Sequence, residues 1–144
     1  MNNLAIDIHS KYGVQVEVII ADFGKDPTIY KNIENQLIDK DIGILVNNVG
    51  VASDGLNYFH KASEETMWNM INVNIVSVTM MMKMILPKME VKRKGAIINV
   101  ASVASFGPSP FLSQYSATKV YVDYLSRGNI LTASIKKTRL KTGL

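Results

Sequence analysis

Tyr115 and Lys119 stand four residues apart in Tyr115-Ser-Ala-Thr-Lys119, a spacing that on a helix puts both side chains on one face. A free tyrosine hydroxyl has a pKa of about 10, so a phenol acting as acid or base near neutrality needs a cation beside it to favour the phenolate. Lys119 is placed to be that cation. Thirteen residues ahead of Tyr115 comes Ser102, directly after the apolar run Ala96-Ile-Ile-Asn-Val-Ala101. A hydroxyl there can hold the oxygen of a carbonyl or alcohol while the tyrosine transfers a proton. Further upstream, Asn47-Asn48-Val49-Gly50 closes a second apolar run, Ile42 to Val46, with a glycine that lets a ligand approach the backbone. All three groups then meet at the carboxyl ends of strands, where open α/β sheets hold ligands. Each also has a plainer reading, since i,i+4 pairs arise freely and Ser102 alone is a strand-end hydroxyl satisfying backbone.

The elements that must position these residues follow from periodicity. Asn2 to Tyr12 carries Leu4, Ala5 and Ile8 at helical spacing and stops at Gly13. Val14 to Ala21 alternates β-branched residues and then turns apolar on both faces, which predicts a buried strand. After Gly24 and Pro27 a helix is expected over 28–39, then a strand at 42–46 and a loop to about Ala62. Ser63, followed by Glu65 and Thr66, opens a long helix with acids in its first turn. Its apolar stripe runs through Trp68, Ile71, Ile75, Val78, Met82, Ile85 and Met89, a face for the core or for a subunit interface. Pro87 should end or kink it. A strand at 96–101, a loop holding Gly107, Pro108 and Pro110, and a helix from about Leu112 to Arg127 complete the pattern. Helices alternating with doubly apolar strands predict an α/β fold, a parallel sheet covered on both faces.

Composition narrows the function. The 144 residues are 47% hydrophobic and 19% charged, the profile of one globular domain. No cysteine is present, which excludes a disulfide scaffold, a thiolate metal site and a cysteine nucleophile. The net charge of +4 is carried by Lys136, Lys137, Arg139 and Lys141, while residues 1–127 hold 12 charges of each sign. That gives no basic surface for nucleic acid, and the tail has no aromatic residue for base stacking. The uncharged run Thr66 to Met82 is interrupted by three asparagines and is shorter than the roughly 20 apolar residues of a membrane span. A hydrolase built on Ser102 lacks a G-x-S-x-G elbow and a histidine after the serine. His9 and His60 read as surface residues, and Met80 to Met82 as adaptable packing.

With NNVG at 47–50, Asn-Val-Asn at 72–74, Ser102 and YSATK at 115–119 in this order and spacing, residues 1–127 resemble the short-chain dehydrogenase/reductase family. ILVNNVG, INVNIVSVT, KGAIINVAS and YSATKVYVDYLS resemble more narrowly its very-long-chain 3-oxoacyl-CoA reductase and 17β-hydroxysteroid dehydrogenase branch. The resemblance implies that Tyr115 is the general acid/base and that Ser102 orients the substrate oxygen. It implies that Lys119 lowers the tyrosine pKa and binds the nicotinamide ribose. Asn74 then holds a water of a proton relay, Asp22 contacts the adenine ring, and Asn48 and Gly50 line the cofactor, with Asn47 tying the sheet together. Singly, Asn74 also reads as a helix-surface amide and Asp22 as a turn-former. The implied reaction is hydride transfer between NADP(H), in preference to NAD(H), and a carbonyl or secondary alcohol on a fatty-acyl or steroid-like substrate. The branch implies the endoplasmic reticulum, although no targeting segment is read in these residues.

The family's Gly-rich phosphate loop has no counterpart, because no G-x-G occurs in the chain. The expectation is a partial Rossmann-like, doubly wound sheet lacking its first two strands, over residues 1–127, with a divergent basic tail at 128–144. A rival reading is a catalytically inactive, truncated product that works through helix-mediated dimerisation, with Val78 and Met82 on the partner surface.

Overall fold

A computed structural model describes residues 2–53, 55, 58–135 and 140–143. Helix α1 (Asn2–Tyr12) ends at Gly13, whose backbone turns left-handed at φ +66° and whose N–H reaches the His9 carbonyl at 2.8 Å. The expected strand over Val14 to Ala21 does not form. Its residues pair with none of the described strands, and Val14, Val16, Val18 and Ile20 are exposed. Alternation shapes a strand, but its N–H and C=O groups form a ladder only where another strand lies alongside.

Helix α2 (Ile29–Gln36) leads to β1 (Ile44–Asn47). Two lysines of the later helix fasten this connection. Lys88 donates to the Leu37 and Ile38 carbonyls at 2.6 and 3.1 Å, and Lys92 donates to Ile42 O at 2.6 Å and to the Asp41 carboxylate. That contact with the Lys92 ammonium holds the Asp41 carboxyl below its ordinary range.

The long helix comprises α3 (Glu64–Ile71), a π-helical turn (Asn72–Val76) and α4 (Ser77–Lys92). Ser63 caps it, its hydroxyl accepting the Thr66 N–H at 3.1 Å. The five-residue turn adds one residue to the helical count, which rotates everything before it by roughly 100°. The expected unbroken stripe is therefore split. Val78, Met82, Ile85 and Met89 are buried, while Trp68 is 62% exposed and Met70, Val73 and Asn74 turn inward.

Pro87 does not end the helix, which continues to Lys92 and closes with Arg93 at φ 51° and a Lys94 N–H to Met89 O bond of 3.2 Å. A helix-interior proline costs about 3 kcal/mol. Ile85 and Met89, buried on either side of it, contribute about 1.5–3 kcal/mol each. The 29-residue helix Glu64–Lys92 is long enough, and over an 18-residue stretch of mean hydropathy 1.4 apolar enough, to cross a membrane, which the sequence reading had denied it. Its buried residues make it the core helix of this fold.

Strand β2 (Gly95–Asn99) pairs parallel with β1, Ile44 opposite Ala96, and β3 (Leu140–Gly143) pairs parallel with β2, Gly95 opposite Leu140. Helix α5 (Ser113–Ile135) outruns the end expected near Arg127, and β3 follows where an irregular remainder is expected. Gly128, read as a stop, lies inside α5; a mid-helix glycine costs only about 1 kcal/mol against alanine.

Both crossovers, β1 to β2 through α4 and β2 to β3 through α5, step the same way across the sheet. Right-handed connections then place both helices on one face. Ile97 and Asn99 are buried beneath them, whereas Ile44, Val46, Ile98 and Val100 on the opposite face are exposed. The expectation of cover on both faces fails here, because among the described residues no crossover runs in the other direction. The core comprises Val78, Met82, Ile85, Met89, Ile97 and Val122, flanked by Leu37, Leu45 and Leu125. Val78 and Met82 are thus interior residues and not the partner surface suggested by their spacing. Replacing Ile85, 1% exposed, with alanine is expected to lower the unfolding free energy by about 2–5 kcal/mol in urea titration. Trp68→Ala should change it by less than about 0.5 kcal/mol.

Candidate active site

Four of the candidate residues meet beyond the carboxyl ends of β1 and β2. Asn74, 2% exposed, lies on the π-helical turn and grips the loop after β1 from both sides. Its Oδ1 accepts the Val51 N–H at 2.8 Å, and its Nδ2 donates to the Val51 carbonyl at 2.8 Å. The same Nδ2 donates to Thr118 Oγ1 at 3.0 Å, and Thr118 in turn donates to the Tyr115 carbonyl at 2.7 Å. One carboxamide thereby joins the β1 loop, the long helix and α5.

Lys119 is 4% exposed. Its ammonium donates to Val100 O at 3.2 Å, lies 5.7 Å from the Tyr115 ring centroid, and has no carboxylate partner among the described residues. A Cβ added to Gly50 would stand 3.1 Å from Lys119 Nζ and 3.6 Å from Asn74 Oδ1, so the glycine keeps open the space in front of the ammonium. A buried cation with one carbonyl acceptor and an adjoining gap is expensive unless something else solvates it. Tyr115 is half-buried, and its phenol makes no hydrogen bond to a described residue.

Ser102 follows β2 two residues after the carbonyl that Lys119 contacts, and its Oγ accepts the Ala104 N–H at 3.2 Å to cap a short 3₁₀ turn. It lines a groove with Ala101, Ser105 and Asp123, and Tyr115 lines a second cleft. Asn48 is exposed. Asp22 is exposed as well, its Oδ1 engaged by the Gly24 N–H at 3.0 Å and its carboxylate paired with Lys25 at 3.5 Å. The Gly24 carbonyl accepts from Asn72 Nδ2 at 3.3 Å, which moors the Asp22 turn to the helix carrying Asn74. Asn47 ties β1 to β2 through Asn99 Oδ1 at 2.7 Å, and Asn99 donates to Ser126 Oγ at 2.8 Å.

The sequence reading missed Thr118, Asn99 and Asn72. Thr118 sits inside the very motif that was read for its ends, three residues beyond Tyr115. Asn99 is the lone polar residue of an apolar strand, a pattern that itself calls for a buried partner.

With this geometry in place, relatives can be compared. The family model described as short chain dehydrogenase matches residues 1–139, and the chain belongs to that family of oxidoreductases. The chain is 44% identical over 124 residues to a Homo sapiens protein, inactive hydroxysteroid dehydrogenase-like protein 1, covering 86% of this chain and 38% of that one. It is 43% identical over 130 residues to the very-long-chain 3-oxoacyl-CoA reductase of Anas platyrhynchos, covering 89% and 42%. It spans about two fifths of the length of these relatives. A short-chain dehydrogenase from Sphingobium yanoikuyae, solved in complex with NADPH, superposes with a TM-score of 0.86 at 32% identity over 98% of this chain and 56% of that one. The fold is the α/β Rossmann-like fold of the family, and nicotinamide binding belongs to that family.

Replacing Asn74 with alanine leaves the Val51 N–H and C=O without their side-chain partner. The expected loss of stability is about 3 kcal/mol, read by denaturant titration, against about 1 kcal/mol for Thr118→Val.

Proposed function

We propose that the protein containing this chain is an NADP(H)-dependent reductase of carbonyl groups, with Tyr115, Lys119, Ser102 and Asn74 as its reactive set. The observation that carries the reading is the buried Lys119 ammonium facing the gap at Gly50, beside the Tyr115 ring. The residues present fit the nicotinamide-ribose end of such a cofactor. Gly50 leaves room and Lys119 retains donors for ribose hydroxyls, while on this reading Asn48 lines the cofactor and Asp22 contacts its adenine ring. When bound, the cofactor supplies hydride to the carbonyl carbon.

The chain's own residues handle the proton. Ser102 Oγ donates a hydrogen bond to the carbonyl oxygen and fixes its position. Tyr115 Oη gives that oxygen its proton as negative charge develops there, and the Lys119 ammonium stabilises the phenolate left behind. Asn74 positions the Tyr115 helix through Thr118 and would hold the relay water from which the phenol regains its proton. Substrates on this reading are fatty-acyl or steroid-like carbonyl compounds, and the branch points to the endoplasmic reticulum.

A second reading, a non-catalytic chain acting through its helices, is favoured by the 44% identity to a human relative described as inactive. Its partner surface would have to use outward residues such as Tyr124, 71% exposed, because Val78 and Met82 are interior.

Titration with NADPH, followed by nicotinamide fluorescence, tests the first reading. Saturable binding weakened at least tenfold in Lys119→Ala, together with Tyr115→Phe that binds NADPH yet reduces ketones at least about a hundredfold more slowly, is the expected result. A folded chain that binds no NADPH moves the assignment to the second reading.

A further inference from the structure

The turn at Asp22 follows the extended segment Val14 to Ala21, which pairs with none of the described strands, so a ladder does not fix its place. Inside the turn, the Lys25 N–H donates to the Asp22 carbonyl at 3.2 Å and the Gly24 N–H to Asp22 Oδ1 at 3.0 Å. Outside it, the Phe23 ring lies 6.0 Å from that of Tyr30, a buried residue of α2, and Glu17 pairs with Lys40 at 2.5 Å. Those contacts fasten the segment to α2 and to the chain after it. Asn72 fastens it to the helix of the site, its Nδ2 donating to the Gly24 carbonyl at 3.3 Å. Gly24 lies flush against the same helix, since a Cβ added there would stand 2.3 Å from Asn69 Oδ1.

Asn72 and Asn74 both belong to the π-helical turn Asn72–Val76, and they hold different things. Asn74 holds the Val51 backbone and Thr118, which frame Gly50 and Lys119, whereas Asn72 holds the turn of Asp22. We propose that Asn72 is a positioning residue for the adenine end of the cofactor, fixing the Asp22 turn relative to the Lys119 ammonium. A ligand with two linked ends binds tightly only where both ends engage at once, so a turn free to drift loses the adenine contact and the advantage of the linkage with it. The nicotinamide end, held at Lys119, is spared that loss. The assignment rests on the reading of Asp22 as the adenine contact and Lys119 as the ribose contact, and it adds a residue that acts through the backbone of Gly24 without touching the reacting atoms.

The test compares a ligand that has an adenine end with one that lacks it. NADPH and reduced nicotinamide mononucleotide, both followed by nicotinamide fluorescence, are titrated into the unaltered chain and into Asn72→Ala. NADPH affinity is expected to fall about fivefold, the worth of one hydrogen bond, while that of the mononucleotide stays within twofold. In ketone reduction KM for NADPH rises by the same factor with kcat within twofold. Asn72→Asp keeps the shape of the side chain but puts an acceptor where the donor stood; it is expected to behave alike, and it serves should Asn72→Ala fail to fold. Equal losses for the two ligands, or NADPH affinity unchanged in both variants, overturn the positioning role and leave the reductase reading standing. The selective loss of NADPH affinity, with no ketone reduction by the unaltered chain, upholds the role and overturns the reductase reading instead. A folded chain that binds neither ligand overturns both.

Discussion

The two-way hydrogen bond between the Asn74 carboxamide and the Val51 backbone is the constraint on which the site depends. A loop leaving a parallel strand has no ladder to hold it, and its backbone groups must find partners elsewhere. Here they find one side chain that offers a donor and an acceptor in the same plane. Because that side chain also holds Thr118, the loop cannot move without moving the turn of α5 that carries Tyr115 and Lys119. Gly50 then lies against the lysine by consequence of this coupling, and the gap before the ammonium is as rigid as the bracket that frames it.

A second polar network does comparable work deeper in the molecule. Asn99, fully buried, bridges Asn47 on β1 and Ser126 on α5, and Ser126 passes the chain of hydrogen bonds to the Val122 carbonyl. The apolar residues around it would pack in more than one register. An amide that must satisfy partners on a neighbouring strand and a helix admits only one. The family membership and this geometry together account for the fold, while the pairing of one relative described as inactive with another named a reductase shows that the fold alone does not decide the chemistry.

Much of the fold was legible because it is local. Gly13 ended α1 where its left-handed freedom predicts, Ser63 capped the long helix, and β1 and β2 stood out as apolar runs. What was not legible depends on neighbours. Val14 to Ala21 has the pattern of a strand without a ladder partner among the described residues, and the bare sheet face follows from the direction of two crossovers, which no periodicity encodes. Pro87 was read as an end or a kink and Gly128 as a stop because propensity is a local quantity, whereas the packing that carries both helices through them is not. At the site, the end residues of the YSATK motif announced themselves by type, while Thr118 between them was silent because its task is to hold another residue.

The π-helical turn gives the long helix two independent phases. Its C-terminal half is set by the sheet, through Val78, Met82, Ile85 and Met89, and its N-terminal half by the loop that Asn74 grips. In evolutionary terms the turn behaves as a one-residue insertion at a single place. A descendant that lost one residue between Asn72 and Val76 would keep its core stripe and its helix, yet swing the opening turns about a quarter-circle away. Such a protein could remain folded while its inherited chemistry fell out of register, a route to inactive relatives that alters none of the reactive side chains.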